Sequence, residues 1–359
     1  MKVALLTPMK PPDASTPSGD RTFARLILKA LATGGHTAAL ASPFVTRCNA
    51  PEDLAAIEAE APRALAKTIE TLSFKPDIVL TYHNYHKAPD LLGPRLAAHY
   101  GAAYAIVEAS RSPRQATGPW AEGFARADAA LAAANAVGAV TARDRPALAD
   151  FVPHALVPFQ PFIDTAPFAA PHTGSPGGRQ IVSAAMMRPG RKADSVALLA
   201  SAFCKVAGEM PEASLTIAGD GPERARLEPL FAPGTFVGRL AEADLAALFA
   251  GADLFVWPAI EEPFGFVFLE AQAAGLPVIG GAARGVVDIV RDGGVLVPPG
   301  KTDALAAAIL ALLSNPARLS ATGKAARSFA AANDLGAGAA RLDALFAHAR
   351  RRHTAALRQ

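Results

Sequence analysis

Cysteine is nearly absent. Cys48 and Cys204 are the only two in 359 residues, too few for a disulfide scaffold and in no metal-ligand spacing. Charge is also sparse, at 19% of residues, and balanced to a net +3. That argues against a nucleic-acid binder working through a broad basic field. The one basic cluster, Arg350-Arg351-Arg352-His353, reads as a solvated helix end. No apolar run reaches about 18 residues without a charge, so no membrane-spanning helix is expected. The start, Met1 to Pro8, is too short for the apolar region of a signal peptide and lacks a cleavage site. It reads as a first strand. The expected location is cytoplasmic, with peripheral contact at the inner membrane face left open. No internal repeat is present, and the only compositional bias is alanine, which favours helix.

Apolar residues, by contrast, are plentiful at 51%, enough for large cores. The length suggests two domains of about 160 residues. Short apolar runs alternate with helical stretches. In the first half the strand-like runs are 3–6, 36–41, 77–81, 104–107 and 136–141, with helices over 20–33, 51–72, 91–99 and 119–134. Gly34-Gly35 suits a left-handed helix end. Residues 157–180 hold five prolines and three glycines and are the best linker candidate. Alternation then restarts, with strand-like runs at 181–187, 215–218, 235–237, 254–257, 278–280 and 295–297. Strands joined by helices in this way form parallel sheets covered on both faces. The predicted fold is α/β, two Rossmann-like doubly wound domains facing a cleft, and such sheets bind ligands at the carboxyl ends of their strands. The expected domains are 1–165 and 166–335, followed by a helix over 336–359.

Within "EEPFGFVFLEAQAAGLPVIGG", Glu262 and Glu270 stand with seven residues between them. Trp257 ends a strand, and Gly265 opens a helix whose free N–H groups favour an anion such as a diphosphate. Gly265 lets a ligand approach the backbone closely. Two carboxylates on either side of an anion site can grip two sugars flanking a diphosphate.

This stretch resembles the signature of the retaining glycosyltransferases of glycosyltransferase family 4, which have the GT-B fold. The resemblance continues through "LTIAGDGPERARLEPL", "FVGRLAEADLAALFAGADLFVWPA" and "GGVLVPPGKTDALAAAILALL", so it covers roughly residues 181–315. It is fainter in "TPSGDRTFARLILKALATGGHTAAL". It implies that Glu270 binds ribose hydroxyls of a nucleotide sugar, and that Glu262 contacts the donor sugar near the backbone amides of Phe264, Gly265 and Phe266. Gly219, Asp220 and Gly221 would line the nucleotide pocket. Gly238, Arg239 and Leu240 would lie where the base rests. Ser18, Gly19 and Asp20 would approach the diphosphate or acceptor from the first domain, and the C-terminal helix would cross back to that domain.

Two departures stand out. The family's basic pair after the first strand of the second domain appears as Arg188 and Lys192, four apart, with Arg191 as a substitute. The family's histidine near the end of the fourth strand is replaced by Glu108, while His83 and His86 follow the third strand. These three are candidates for the cleft. The resemblance implies a hexosyltransferase whose partners are a UDP- or GDP-type sugar donor and a glycan, lipid or small-molecule acceptor. No Asp-x-Asp occurs and no cofactor or metal is expected, so Arg188, Lys192 and the helix start carry the charge of the leaving group. Alternatives are a GT-B epimerase or phosphorylase, or a silent nucleotide-sugar binder. A Rossmann dehydrogenase would need Gly-x-Gly-x-x-Gly after the first strand, which is absent.

Overall fold

The structure is a computed structural model and describes every residue except 16–17, 175–177, 232–233, 263–264, 284 and 359. The chain divides into two compact units, Met1–Pro161 with Leu335–Gln359, and Phe162–Asp334.

Unit 1 begins with β1 (Lys2–Leu6), α1 (Gly19–Thr33), β2 (Thr37–Leu40), α2 (Asp53–Thr71), β3 (Ile78–Asn84), α3 (Gly93–Tyr100), β4 (Ala103–Ala109), α4 (Ala121–Ala133), β5 (Ala136–Ala139), α5 (Arg145–Phe151) and β6 (Leu156–Pro158). The strands form one parallel sheet in the order β2-β1-β3-β4-β5-β6. Val3, Leu5, Val79, Ile106 and Val137 are wholly covered, as continuous apolar strands must be when helices lie on both faces. Ser18 caps α1 by accepting the Arg21 N–H at 3.3 Å. The sequence pattern missed α5 and β6. Both are short, and each contains a proline that reads as a turn.

Unit 2 runs through β7 (Gln180–Ala184), α6 (Arg191–Glu209), β8 (Ser214–Ala218), α7 (Arg224–Leu227), β9 (Thr235–Gly238), α8 (Glu242–Ala250), β10 (Leu254–Trp257), α9 (Phe266–Ala273), β11 (Val278–Gly281), β12 (Gly294–Val297), α10 (Thr302–Leu313) and α11 (Pro316–Ala331). Its sheet is also parallel, in the order β12-β11-β10-β7-β8-β9. The proline-rich stretch expected to be a linker contains the boundary between the units and is anchored by Phe159, Phe162, Ile163 and Phe168, which are buried, while residues 169–173 are exposed. Its turn residues were legible; its spaced aromatics were the stronger signal. The last helix, α12 (Leu335–Ala356), belongs to unit 1. Its stripe of Leu342, Leu345, Phe346 and Ala349 is buried, and it packs on α1, β4 and β5. Asp343 meets His36 at 2.9 Å. No single helix among the described residues is long and apolar enough to cross a membrane.

Candidate active site

A doubly wound sheet opens a crevice where successive strands are added on opposite sides. In unit 2 that point lies between β7 and β10, with β8 beyond the one and β11 beyond the other. The residues following β7 and β10 therefore face each other across it, and Lys192 and Glu262 meet there. Lys192 Nζ donates to Glu262 Oε2 at 3.0 Å. Trp257 Nε1, from the end of β10, donates to the same oxygen at 3.3 Å, and the Lys192 ammonium stands 5.9 Å from the indole centre. Glu262 is thus held by two donors in a mostly covered place, its side chain 12% exposed. Ser195 stiffens the pair from behind. Its hydroxyl donates to Arg191 C=O at 2.8 Å and accepts the Ile260 N–H at 3.2 Å, tying α6 to the loop after β10.

Gly265 caps α9 with φ +68. A Cβ there would come within 2.8 Å of Phe268 and 3.2 Å of Glu262 Cγ, so glycine alone fits unstrained. Glu270 is partly covered in the second turn of α9. Burial pushes its carboxyl pKa up to about 7, with Glu242 adding to the shift.

The loops after β7, β8 and β9 are laced together. Gly219 N–H donates to Gly238 C=O at 2.7 Å, Met187 N–H to Asp220 C=O at 3.0 Å, and Glu223 N–H to Met187 C=O at 3.1 Å. A Cβ on Gly219 would come within 1.8 Å of the Ala185 carbonyl, which shows how closely these backbones approach. The structure thus places Arg188, Lys192, Gly219, Asp220, Gly221, Gly238, Arg239, Leu240, Glu262, Gly265, Phe266 and Glu270 along the carboxyl edge of one sheet. Arg191, offered as a substitute for the basic pair, turns outward to exposed Glu261 at 3.3 Å. Phe264 lies outside the described residues. Sequence reasoning missed Trp257 and Ser195 as partners of this site. The signal available for Trp257 was an indole N–H at a strand end just before the glutamates. A cavity of about 430 Å³ in unit 2, lined by Asp253, Pro277 and Arg327 among others, is at the amino end of the sheet, and its lining includes none of these residues.

In unit 1 the corresponding crevice lies between β1 and β3. Ser18, Gly19 and Asp20 sit at the start of α1, the first helix after β1. His83 and Glu108 fall opposite each other in β3 and β4, whose register runs unshifted from Tyr82↔Val107 to Asn84↔Ala109. Both have left-handed backbones, φ +78 and +62, at a cost of about 1–3 kcal/mol each. His83 Nδ1 stands 3.4 Å from Glu108 Oε1. His86 instead packs edge-on between Tyr85 and Trp120, and burial followed by the charge of Lys87 lowers its pKa.

Residues 178–315, less than half of the chain, match the family described as "Glycosyl transferases group 1". Among similar proteins, the sulfoquinovosyl transferase of Arabidopsis thaliana is 36% identical over 129 residues, 34% of this chain and 25% of that one. A GDP-mannose-dependent alpha-mannosyltransferase of Mycolicibacterium smegmatis is 35% identical over 150 residues, 41% of this chain and 38% of that one. The chain thus matches well under half the length of these relatives. Among solved structures, sucrose-phosphate synthase from Thermosynechococcus elongatus has a TM-score of 0.73 at 22% identity, covering 96% of this chain and 98% of that one. Anabaena HepE in complex with UDP has a TM-score of 0.69 at 17% identity, covering 97% and 100%. The chain shares with these structures the two-unit α/β architecture of the GT-B fold.

Proposed function

We propose that the protein is a retaining glycosyltransferase that moves a hexose from a UDP- or GDP-sugar to an acceptor hydroxyl without a metal ion. The observation that carries this reading is Glu262 gripped by Lys192 and Trp257 across the β7/β10 crevice, with glycine-capped α9 beside it. The match over residues 178–315 supports it.

In this reading Glu270 accepts the ribose hydroxyls, and Glu262 accepts hydroxyls of the donor sugar. Amides at Gly265 and Phe266 meet the diphosphate at the helix start. The loops at Gly219–Gly221 and Gly238–Leu240 bound the nucleotide. The acceptor oxygen bonds to the anomeric carbon as the bond from that carbon to the diphosphate oxygen breaks, and the acceptor proton leaves with the diphosphate. Negative charge grows on the leaving group, so Arg188 and Lys192 act most strongly in the transition state. The absence of Asp-x-Asp supports a role for this pair in place of a metal. On the unit 1 side, Ser18, Asp20, His83, His86 and Glu108 are the acceptor-side candidates, and Gly19 is a donor-side candidate.

A thermal-shift screen of nucleotides and nucleotide sugars tests the reading. A ligand at 100 times its Kd stabilises by about 2.7 kcal/mol. A UDP- or GDP-sugar is expected to raise the melting temperature in wild type and not in Glu270→Ala. Failure of every nucleotide sugar to bind wild type would end the proposal.

A further inference from the structure

The cavity at the amino end of the unit 2 sheet stands apart from the residues proposed to hold the donor. Its volume of about 430 Å³ falls within the range of small-molecule sites, roughly 300–1,000 Å³. One wall is a face of α11 carrying Leu319, Ser320, Gly323, Lys324 and Arg327. These recur every three or four positions and so stack along one side of the helix. Buried Leu276, Pro277 and Leu313 supply the apolar part of the lining.

The charges on this wall are of one sign. Helix α11 holds Arg318, Lys324 and Arg327 and no acidic residue. Arg327 is partly covered and fixed in place. Its Nη2 donates to the Ala274 C=O at 2.7 Å, at the carboxyl end of α9. A Cβ on Gly275 would come within 2.7 Å of its Nε, so the guanidinium lies close against the backbone of that turn. The bond to Ala274 is its sole hydrogen bond among the described residues, and a guanidinium has five N–H donors. Lys324, one turn earlier and exposed at the rim, has no hydrogen bond or ion pair among the described residues.

Asp253 is the carboxylate among the described lining residues, and it is already engaged. Its Oδ2 accepts the Gln180 N–H at 2.9 Å, and its Oδ1 faces His172 Nε2 at 3.7 Å. A Cβ on Gly178 would come within 2.4 Å of Oδ2, so backbone covers that oxygen. Neither Lys324 nor Arg327 forms an ion pair with it. Two positive groups on one helix face thus stand beside buried apolar surface, with no described carboxylate meeting either.

We infer that this cavity binds a small organic anion with an apolar body. Arg327 and Lys324 hold its carboxylate or phosphate, the one through paired donors and the other as a point charge. Leu276, Leu313 and Leu319 take the apolar part. A guanidinium already held by Ala274 loses little further freedom when the anion binds. The site lies at the opposite end of the sheet from Glu262 and does not rest on the transferase reading.

Saturation-transfer NMR on the full chain tests it with phenyl phosphate and benzoate, set against neutral benzyl alcohol. At least one of the two anions is expected to bind wild type, and which one binds names the headgroup. Benzyl alcohol should bind at least about tenfold more weakly. Lys324→Glu should lower anion affinity by at least about tenfold, as befits a lost bond between charged groups. Lys324→Gln is a second variant, expected to change in the same direction. Lys192→Ala, in the donor crevice, should leave the affinity unchanged. Failure of both anions to bind wild type would overturn the inference, and so would equal binding of benzyl alcohol. Unchanged affinity in a Lys324 variant with native circular dichroism would also overturn it. A loss in Lys192→Ala instead would move the anion to the donor crevice and end the inference.

Discussion

Glu270 titrates in the range where the enzyme would work, and this gives it opposite effects on folding and on binding. Its pKa in the folded chain is raised to about 7 from an ordinary 4.5. The folded state therefore favours the protonated carboxyl. The stability this contributes is fully present below the unfolded value and is lost as pH rises through about 7. Accepting ribose hydroxyls needs the carboxylate, so donor affinity should rise over the same window, by about tenfold between pH 6 and pH 8. Isothermal titration with a nucleotide sugar, whose diphosphate does not titrate there, would show this. Glu270→Gln should be flat with pH, and a wild-type curve without slope would remove the carboxylate from the ribose site. Arg188→Ala/Lys192→Ala should lower kcat by roughly 10²-fold, with a smaller loss of donor affinity. EDTA should leave the wild-type rate unchanged; a rate that stops with EDTA and returns with Mg²⁺ would assign the diphosphate charge to a metal. The glutamate pair and the basic pair were readable as residues in sequence. Their partners were not. Trp257 reaches Glu262 only through the path of the loop after β10, and the pairing of His83 with Glu108 depends on the β3–β4 register, which no single strand encodes.

Elements differ in how plainly the sequence announced them. Central strands such as β1, β3 and β10 were visible because burial on both faces forces unbroken apolar runs. The edge strand β6 and the short helix α5 were not, since half-exposed short segments carry too little pattern. At α9 the announced glycine has a measurable role. Gly265→Ala should destabilise unit 2 by about 1–2 kcal/mol through its left-handed backbone, seen as a lower urea midpoint, and the intruding methyl should also weaken donor binding. An unchanged midpoint and affinity would show that α9 starts elsewhere in solution. At α12 the stakes are larger. Leu342, Leu345 and Phe346 are wholly buried, together on the order of 5–9 kcal/mol of apolar burial, comparable with the whole stability of an ordinary domain. Ending the chain before Leu335 should unfold unit 1, with fast amide exchange in β1, β4 and β5. Protection retained in those strands would show that the helix is dispensable.

At the scale of the whole molecule, the two sheets have mirrored logic. Each places polar residues at the carboxyl ends of its strands, and among the described residues the three non-glycine residues with positive φ, His83, Glu108 and Ala259, lie there too. The return of α12 has a further consequence, in time. A ribosome makes residues 1–161 first, yet they lack their covering helix until residues beyond 335 have emerged. Phe162–Asp334 is continuous in sequence and can close as soon as it is out. The usual amino-first order of cotranslational folding is then inverted: the second unit matures while the first waits with apolar surface on α1, β4 and β5 uncovered. Arrest-peptide force measurements on nascent chains should show unit 2 folding at shorter lengths than unit 1, and nascent unit 1 should be the part that chaperones hold.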